Sequence, residues 1–165
     1  MIKWILIILA LVGLDQVTKA LVVSNMIYGE AGSIPIIEDF FHFTYTLNDG
    51  AGLGLLEGLA DKNYLVFIIL IAIALVIFSA MFIKTDFKNK KNFWYILGLT
   101  FLIAGAIGNG LDRVFQVDHY VVDFIDFRGI WPYIFNVADI CLNVGIAIFI
   151  MDQFFLEPKR KKLHG

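Results

Sequence analysis

The chain has a single cysteine, Cys141, and only 17% of its 165 residues are charged. One cysteine excludes an internal disulfide framework. Because Cys141 lies in an apolar stretch with no histidine nearby, we interpret it as a packing residue rather than a reactive thiol. The chain is 59% hydrophobic and has a mean hydropathy of +0.79, far above the values of a soluble domain. The composition therefore indicates an integral membrane protein.

Motifs of several familiar enzyme classes are also missing. The chain has no His-Glu-x-x-His and no Cys/His cluster, which argues against a zinc protease. It has neither a Gly-x-Ser-x-Gly elbow nor a Walker loop. The Asp-Thr/Ser-Gly of soluble aspartic proteases and the Gly-x-Gly-Asp of presenilin-type proteases do not occur either. We expect no metal, no cofactor and no nucleic-acid partner, and carboxylates remain the best candidates for chemistry.

Four apolar segments are each long enough to cross a bilayer as a helix. They cover about residues 2–23, 64–83, 93–110 and 134–155, and the second has no charged residue. We predict a membrane all-α fold with a small β element, as a single domain over residues 1–165. The first segment is too long for the core of a signal peptide and is followed by further spans, so we expect it to be retained.

The basic residues lie on one side of this four-helix arrangement. Nine of the 13 Lys and Arg residues are on that side: Lys3, Lys84, Lys88, Lys90, Lys91, Lys159, Arg160, Lys161 and Lys162. Basic residues favour the cytoplasmic side of a membrane. We therefore predict that both termini are cytoplasmic and that residues 24–63 and 111–133 are extracytoplasmic.

The first extracytoplasmic segment is patterned like a folded element. Residues 41–47 alternate, which predicts a half-buried strand with one apolar face formed by Phe41, Phe43, Tyr45 and Leu47. Asn48-Asp49-Gly50 is typical of a turn, and residues 55–59 suggest a short interfacial helix. We expect a small β-sheet cradle on the outer membrane surface, with His42 on its solvent side.

Two aspartates stand at or near the outer edge of the membrane, where a carboxylate is costly and usually functional. Asp139 is predicted about five residues into the fourth helix, on one face with Asn136. Two facing carboxyls can share a proton and act as one acid and one base, which suggests an intramembrane aspartyl hydrolase. From the residues alone, the partner of Asp139 is Asp118, Asp123 or Asp126.

Other polar residues are predicted near the same membrane edge. Asn109, Asp112 and Arg113 stand where the third span ends. Asp15 and Lys19 in the first span have the spacing and order of a helical ion pair. This pair is either structural, with Lys19 snorkelling outward, or in direct contact with a substrate.

Two other protein classes were weighed against a hydrolase. A small proton-coupled transporter or channel would usually have polar residues along a path through both leaflets, whereas here the second span is wholly apolar and the polar groups gather on one side. A membrane scaffold without enzymatic activity would not need two carboxylates with flanking asparagines at the membrane edge.

Five motifs in order, together with the size and the four spans, resemble the bacterial lipoprotein signal peptidases, also called signal peptidase II. The motifs are Asp15-Gln16-Val17-Thr18-Lys19, Asn48-Asp49-Gly50-Ala51, Gly108-Asn109-Gly110-Leu111-Asp112-Arg113, Val121-Val122-Asp123-Phe124 and Phe135-Asn136-Val137-Ala138-Asp139. One departure lies after the second motif, where Gly52 and Leu53 replace an alanine and an aromatic residue of the family pattern.

The resemblance implies a function and a set of site residues. Asp123 and Asp139 would form the catalytic dyad, selecting Asp123 from the three candidates. Substrate-binding or supporting roles would fall to Asn48, Gly50, Asn109, Asp112, Arg113, Asn136, Asp15 and Lys19. The family removes signal peptides from prolipoproteins in the bacterial cytoplasmic membrane, cleaving without a metal just before a diacylglyceryl-modified cysteine. Expected partners are lipid-modified prolipoproteins, membrane lipids and peptide antibiotics such as globomycin, with the active site near the extracytoplasmic surface.

Overall fold

The computed structural model describes residues 1–50, 63–116 and 118–157. The predicted interfacial helix at residues 55–59, the Gly52-Leu53 departure and the basic residues 159–162 lie outside the described residues.

Four long apolar helices form the bundle, as predicted. Their bounds are α1 Ile2–Asn25, α2 Asn63–Ile83, α3 Phe93–Phe115 and α4 Val137–Met151, the last continued by a π-helical turn at Asp152–Leu156. In the part of the chain that the structure describes, these are the four helices long and apolar enough to cross a membrane. The protein is therefore a multi-pass membrane protein.

The third helix is the centre of the bundle. It packs against α1, α2 and α4. In its most apolar stretch 56% of the residues are buried inside the protein, against 6% in the corresponding stretch of α2. Its neighbours approach closely because glycines face them: a side chain at Gly105 would collide with the Ala138 carbonyl, and one at Gly145 with the Leu102 backbone. Small residues at such contacts are the usual means of helix association in membranes.

Three antiparallel strands form a sheet in the order β1-β2-β3. Their bounds are β1 Ile34–Ile37, β2 Phe41–Asn48 and β3 Val121–Phe127. The sheet packs its apolar side chains against Val22 near the end of α1. The strand predicted at residues 41–47 is thus confirmed, and β3 joins it from the segment between α3 and α4.

The alternation predicted for β2 is interrupted by a bulge. Phe43 pairs with Ile125 and Thr46 with Asp123, so β2 uses one more residue than β3 between the two pairs. Residues opposite each other share a face of a sheet, so the bulge moves Thr46 and Asn48 onto the face of Asp123. The bulge interrupts the strict alternation, since Leu47 pairs with Val122, but Phe41, Phe43, Tyr45 and Leu47 all pack against one apolar cluster, as predicted.

Two helix boundaries also differ from the predicted spans. Helix α3 continues to Phe115, five residues beyond the predicted end of the span, so Asp112 and Arg113 lie within the helix. Helix α4 begins at Val137, and Asp139 is its third residue instead of about the fifth. Both differences arise because hydropathy does not see polar helical residues. Polar residues continue α3 beyond its apolar stretch, and the polar Asn136 caps α4 after its apolar stretch has begun.

Candidate active site

The amino end of α4 is fixed by a reciprocal capping box. Asn136 is the N-cap: its side-chain oxygen accepts from the Asp139 N–H at 2.9 Å, and its own N–H donates to Asp139 Oδ2 at 3.1 Å. This geometry satisfies two helix N–H groups that would otherwise lack partners. Asp139 is thereby held in one orientation at the positive end of the helix dipole, where a negative charge is favoured.

Asp123 on β3 is held by amide side chains from two other elements. Asn136 Nδ2 donates to Asp123 Oδ1 at 2.6 Å, and Asn48 Nδ2 donates to Oδ2 at 2.9 Å. The Asn48 oxygen in turn accepts from the Gly50 N–H at 2.8 Å, which closes the turn predicted at this position. Gly50 has φ +90° with the Phe67 ring directly against it, so a side chain there is excluded both by backbone strain and by space.

A chain of amides joins the two carboxylates. Asn136 Nδ2 lies 3.1 Å from Asn109 Oδ1, and Asn109 Nδ2 donates to Asp139 Oδ1 at 2.7 Å. Asn136, which is fully buried, donates to both carboxylates, to Asp123 through its side chain and to Asp139 through its backbone N–H. Asn48, Asn109 and Asn136, which the sequence associated with the aspartates, thus converge on them from β2, α3 and α4.

The electrostatic environment of Asp123 disfavours its ionised form. Burial is the main cause, followed by the nearby Asp139 charge, and together they raise the pKa of Asp123 to about 7. Hydrogen bonds from Asn48 and Asn136 and the charge of Lys19 act in the opposite direction and only partly offset the rise. A carboxyl with this pKa can both hold and release a proton near neutral pH.

An ion triad lies behind the two carboxylates. Lys19 Nζ is 2.9 Å from Asp15 Oδ2, 3.0 Å from Asp112 Oδ2 and 3.1 Å from Asn109 Oδ1, which uses all three ammonium hydrogens. The side chain of Lys19 is 3% exposed. The predicted pair of Asp15 and Lys19 is confirmed, but the snorkelling of Lys19 is wrong, because Asp112 on α3 keeps its ammonium group inside the protein.

The triad also anchors the backbone beside each carboxylate. Asp15 Oδ1 accepts from the N–H of Ala138, the residue before Asp139, at 2.8 Å. Asp112 Oδ2 accepts from the N–H of Val122, the residue before Asp123, at 3.1 Å. One buried ion cluster therefore fixes both carboxylate-bearing segments relative to α1 and α3.

Gln16 belongs to this cluster and was absent from the predicted site residues. Its amide nitrogen lies within 3.1 Å of Asp15 Oδ2 and the Gly108 carbonyl and 3.0 Å from Asp112 Oδ1. The signal was present, because Gln16 lies inside the first motif. An amide next to an ion pair is not informative, however, until its tertiary neighbours are known.

Asp123 and Asp139 both face a cavity of about 910 Å³. Its lining includes the polar side chains of Asn48, Asn109 and Arg113, together with largely apolar residues from α2, α4 and the loop before α4. Such a cavity suits a ligand with a long apolar portion and a small polar group. Among the described residues, no group of three or more His, Cys, Asp or Glu side chains is arranged to hold a metal ion.

Arg113 brings a cation to the cavity and is itself clamped. Its Nη1 donates to the His119 carbonyl at 2.9 Å, its guanidinium lies 5.0 Å from the Phe67 ring centroid, and the His119 ring stacks on Tyr64 at 4.2 Å. These contacts connect α2 to the end of α3. His119, which follows α3, is therefore a support for Arg113.

The remaining candidate carboxylates lie elsewhere. Asp126 is buried but accepts from Thr44 at 2.8 Å and from Arg128 at 3.2 Å. Asp118 is exposed. Neither lines the cavity, so Asp123 is the one of the three candidates that shares a cavity with Asp139.

Comparison with solved structures defines the class of protein. The fold is similar to that of a bacterial membrane enzyme solved at 1.9 Å by the in meso method, with a TM-score of 0.78, 33% identity and 94% of each chain covered. A second bacterial membrane enzyme, solved at 2.3 Å, gives a TM-score of 0.79 at 32% identity, covering 100% of this chain and 93% of that one. The chain thus has the fold of a bacterial membrane enzyme.

Sequence comparison identifies the family. Residues 7–155 match the family described as signal peptidase (SPase) II. The lipoprotein signal peptidase of Fusobacterium nucleatum is 37% identical over 96% of this chain and 90% of that protein. The protein of the same name from Clostridioides difficile is 39% identical over 96% of this chain and 99% of that protein. The chain belongs to the signal peptidase II family and is a protease, which argues against the transporter alternative.

Proposed function

We propose that this enzyme removes the signal peptide from diacylglyceryl-modified prolipoproteins, cleaving just before the lipidated cysteine with Asp123 and Asp139 as the catalytic dyad. The observation that carries this proposal is that two buried carboxylates, linked through Asn136 and Asn109, face one largely apolar cavity. Such a cavity can receive acyl chains while the peptide bond lies at its polar end.

The dyad would work by general acid–base catalysis with one shared proton. Asp139, at a helix N-terminus with two N–H donors, is placed to take a proton from the attacking water. Asp123, whose pKa is raised to about 7, would donate its proton to the developing oxyanion. When the tetrahedral intermediate collapses, Asp139 would pass the proton it took from water to the leaving amine, and Asp123 would take its proton back from the intermediate's hydroxyl. The two carboxyls titrate as a coupled pair.

The neighbouring side chains would orient this pair and the substrate. Asn48 and Asn136 hold Asp123, and Asn109 holds Asp139. Arg113, clamped at the cavity, would bind a carbonyl of the substrate. Membrane lipids would contact the exposed apolar faces of the bundle, and peptide inhibitors such as globomycin would occupy the same cavity.

Purified protein in detergent provides the direct test. Wild type should cleave a synthetic diacylglyceryl-modified prolipoprotein peptide before its modified cysteine, and should not cleave the same peptide without the lipid. Activity should survive EDTA. Cleavage of both peptides alike would contradict the substrate assignment, and loss in EDTA with recovery on adding zinc would contradict the mechanism.

We propose further that both termini are cytoplasmic and that the dyad lies near the extracytoplasmic surface of the bacterial cytoplasmic membrane. Cysteines introduced at Asn25 and Lys88, both exposed and at opposite ends of the bundle, should label from opposite sides. The background would be Cys141→Ala, because Cys141 is buried. Labelling of both positions by an impermeant reagent in intact cells would overturn this orientation.

A further inference from the structure

A second polar network lies on the face of the sheet opposite Asp123. Its centre is Ser33 Oγ, which is 2.8 Å from Thr44 Oγ1, 3.1 Å from His42 Nδ1 and 2.8 Å from Arg128 Nη2. Thr44 Oγ1 also donates to Asp126 Oδ2 at 2.8 Å. Thr44 is 2% exposed and His42 is 8% exposed. The expectation that His42 faces solvent is therefore wrong, because Ser33 and the preceding loop cover it.

Donor counting gives this network one direction. Asp126 accepts from Arg128 as a carboxylate, so Thr44 must spend its single hydroxyl hydrogen on Asp126. Ser33 must then donate to Thr44, which leaves it only acceptor capacity toward Arg128 and His42. The result is a one-way chain from His42 Nδ1–H through Ser33 and Thr44 to Asp126. A hydrogen bond to an ionised acceptor is stronger than one between neutral groups. The bond from Thr44 to Asp126 is therefore the strongest of the chain.

Thr44 occupies the bulge that determines what faces Asp123. The extra residue of β2 lies between Phe43 and Thr46, and the Thr44 hydroxyl bonds across it to β3. If β2 had no bulge, the pairing would continue residue by residue from Phe43. Tyr45 would then lie opposite Asp123, and Asn48 would point to the other face of the sheet. Asn48 could then not donate to Asp123. Bulges beside active sites often re-aim a side chain in this way.

We propose that Thr44 is a positioning residue: its hydrogen bond to Asp126, reinforced by Ser33, fixes the bulge in β2 and thereby keeps Asn48 bonded to Asp123. The catalytic consequence rests on the proposed function, whereas the structural consequence does not. Asp126 is then required as the acceptor for Thr44.

The test compares two variants. Thr44→Val keeps the branched shape and removes the hydroxyl, whereas Thr44→Ser keeps the hydroxyl and removes the methyl group. Thr44→Val should lower kcat about tenfold with KM little changed, since misplacing a catalytic group acts on the chemical step. Because the Asn48 bond lowers the pKa of Asp123, its loss should move the alkaline limb of the pH–rate profile upward. Asn48→Ala should move the limb in the same direction, and Thr44→Ser should retain the wild-type profile.

Thr100→Val is the matched control, because Thr100 is buried and, within the described part of the chain, its hydroxyl bonds inside α3 to the Ile96 carbonyl. It removes a buried hydroxyl without touching the sheet and should leave the pH profile unchanged. If Thr44→Val also leaves the limb unchanged, the proposal is wrong, whatever the loss of rate. If Thr44→Val fails to fold, Ser33→Ala should produce a smaller shift in the same direction, and an unshifted profile there would be equally decisive.

A measurement without substrate separates this proposal from the proposed function. The carboxyl of Asp123 can be titrated by 13C NMR in protein labelled at aspartate carboxyls, with Asp123→Asn identifying its signal. In Thr44→Val the Asp123 titration should lie above that of wild type. An upward shift in a protein that cleaves no lipidated peptide would support the positioning role and remove the assigned substrate. If wild type cleaves the lipidated peptide and Thr44→Val shows no shift, the assigned substrate is supported and the positioning role of Thr44 is wrong.

Discussion

The two faces of β3 each carry a buried aspartate, three residues apart, and the two are held in different ways. Asp126 is bonded by Arg128 and by the Thr44 hydroxyl. Asp123 is bonded by the amides of Asn48 and Asn136, and no cation is among its hydrogen-bond partners in the described part of the chain. Asp126 thus has a direct cationic partner, whereas Asp123 is oriented by neutral amides and has its pKa raised to about 7 by burial and by Asp139. The difference indicates which face is built for structure and which for chemistry.

The largest expected effect separates these two aspartates. Asp123→Asn should lower the rate of cleavage of the lipidated peptide by about 10³-fold or more, because the dyad loses a titrating member. Asp126→Asn should stay within a few-fold of wild type, since the asparagine oxygen still accepts from Thr44. An active Asp123→Asn beside an inactive Asp126→Asn would reverse the assignment.

The partner carboxylate should behave as one unit with Asp123. Asp139→Asn should lose as much activity as Asp123→Asn, and the double variant should be no worse than either, since residues that act together are not additive. Rates from single-turnover assays on the three variants would decide this. Additive losses would mean that the two carboxyls act independently.

The cations on the two sides should differ in their effect on stability. Removing Lys19, whose side chain is 3% exposed, leaves Asp15 and Asp112 buried without their cation, and Lys19→Met should cost about 3–5 kcal/mol of unfolding free energy. Arg128→Met should cost less, about 1 kcal/mol, because Arg128 is 33% exposed and its partner Glu30 is 73% exposed, so that water can replace the guanidinium beside Asp126, whose side chain is 10% exposed. Thermal unfolding in one detergent would measure both. If both variants lost the same unfolding free energy, the Lys19 triad would not be more important for stability than the ion pairs of Arg128.

The pH dependence of stability should come from Asp123. Its pKa is about 7 when folded, against an ordinary value of 3.8, so the folded protein binds the extra proton between those values. Stability attributable to Asp123 is therefore present at low pH and is lost as pH rises toward 7. The melting temperature of Asp123→Asn relative to wild type should rise from pH 4 to pH 8, and a constant difference would contradict the raised pKa.

The smallest expected effect is spectroscopic. Donor counting in the sheet network requires the neutral His42 ring to carry its proton on Nδ1, and among the described residues its buried Nε2 has no hydrogen-bond partner. Long-range 1H–15N correlation spectra should show the Nδ1–H tautomer for His42, assigned with His42→Gln. The Nε2–H tautomer would mean that the hydrogen-bond chain runs in the other direction.

Much of the site was predictable because its parts are local in sequence. Asn136 and Asp139 are three residues apart and form a capping box, and Asp15 and Lys19 are four apart and form an ion pair. Each relation follows from the period of one helix. The roles of Gln16, Thr44 and His119 were not predictable, because each depends on a contact with a residue far away in the chain or on an irregularity in a strand.

The sequence by itself determined the number of membrane helices and the family, because hydropathy and ordered motifs are properties of short segments. Resemblance to the family also selected Asp123. Only the tertiary structure decided that Asp123 shares a cavity with Asp139 while Asp126 faces away. It also decided that Lys19 is buried between two acids and that a bulge carries Asn48 to Asp123. The physical reason is that the face of a strand and the partner of a charge are set by neighbours brought together from distant parts of the chain.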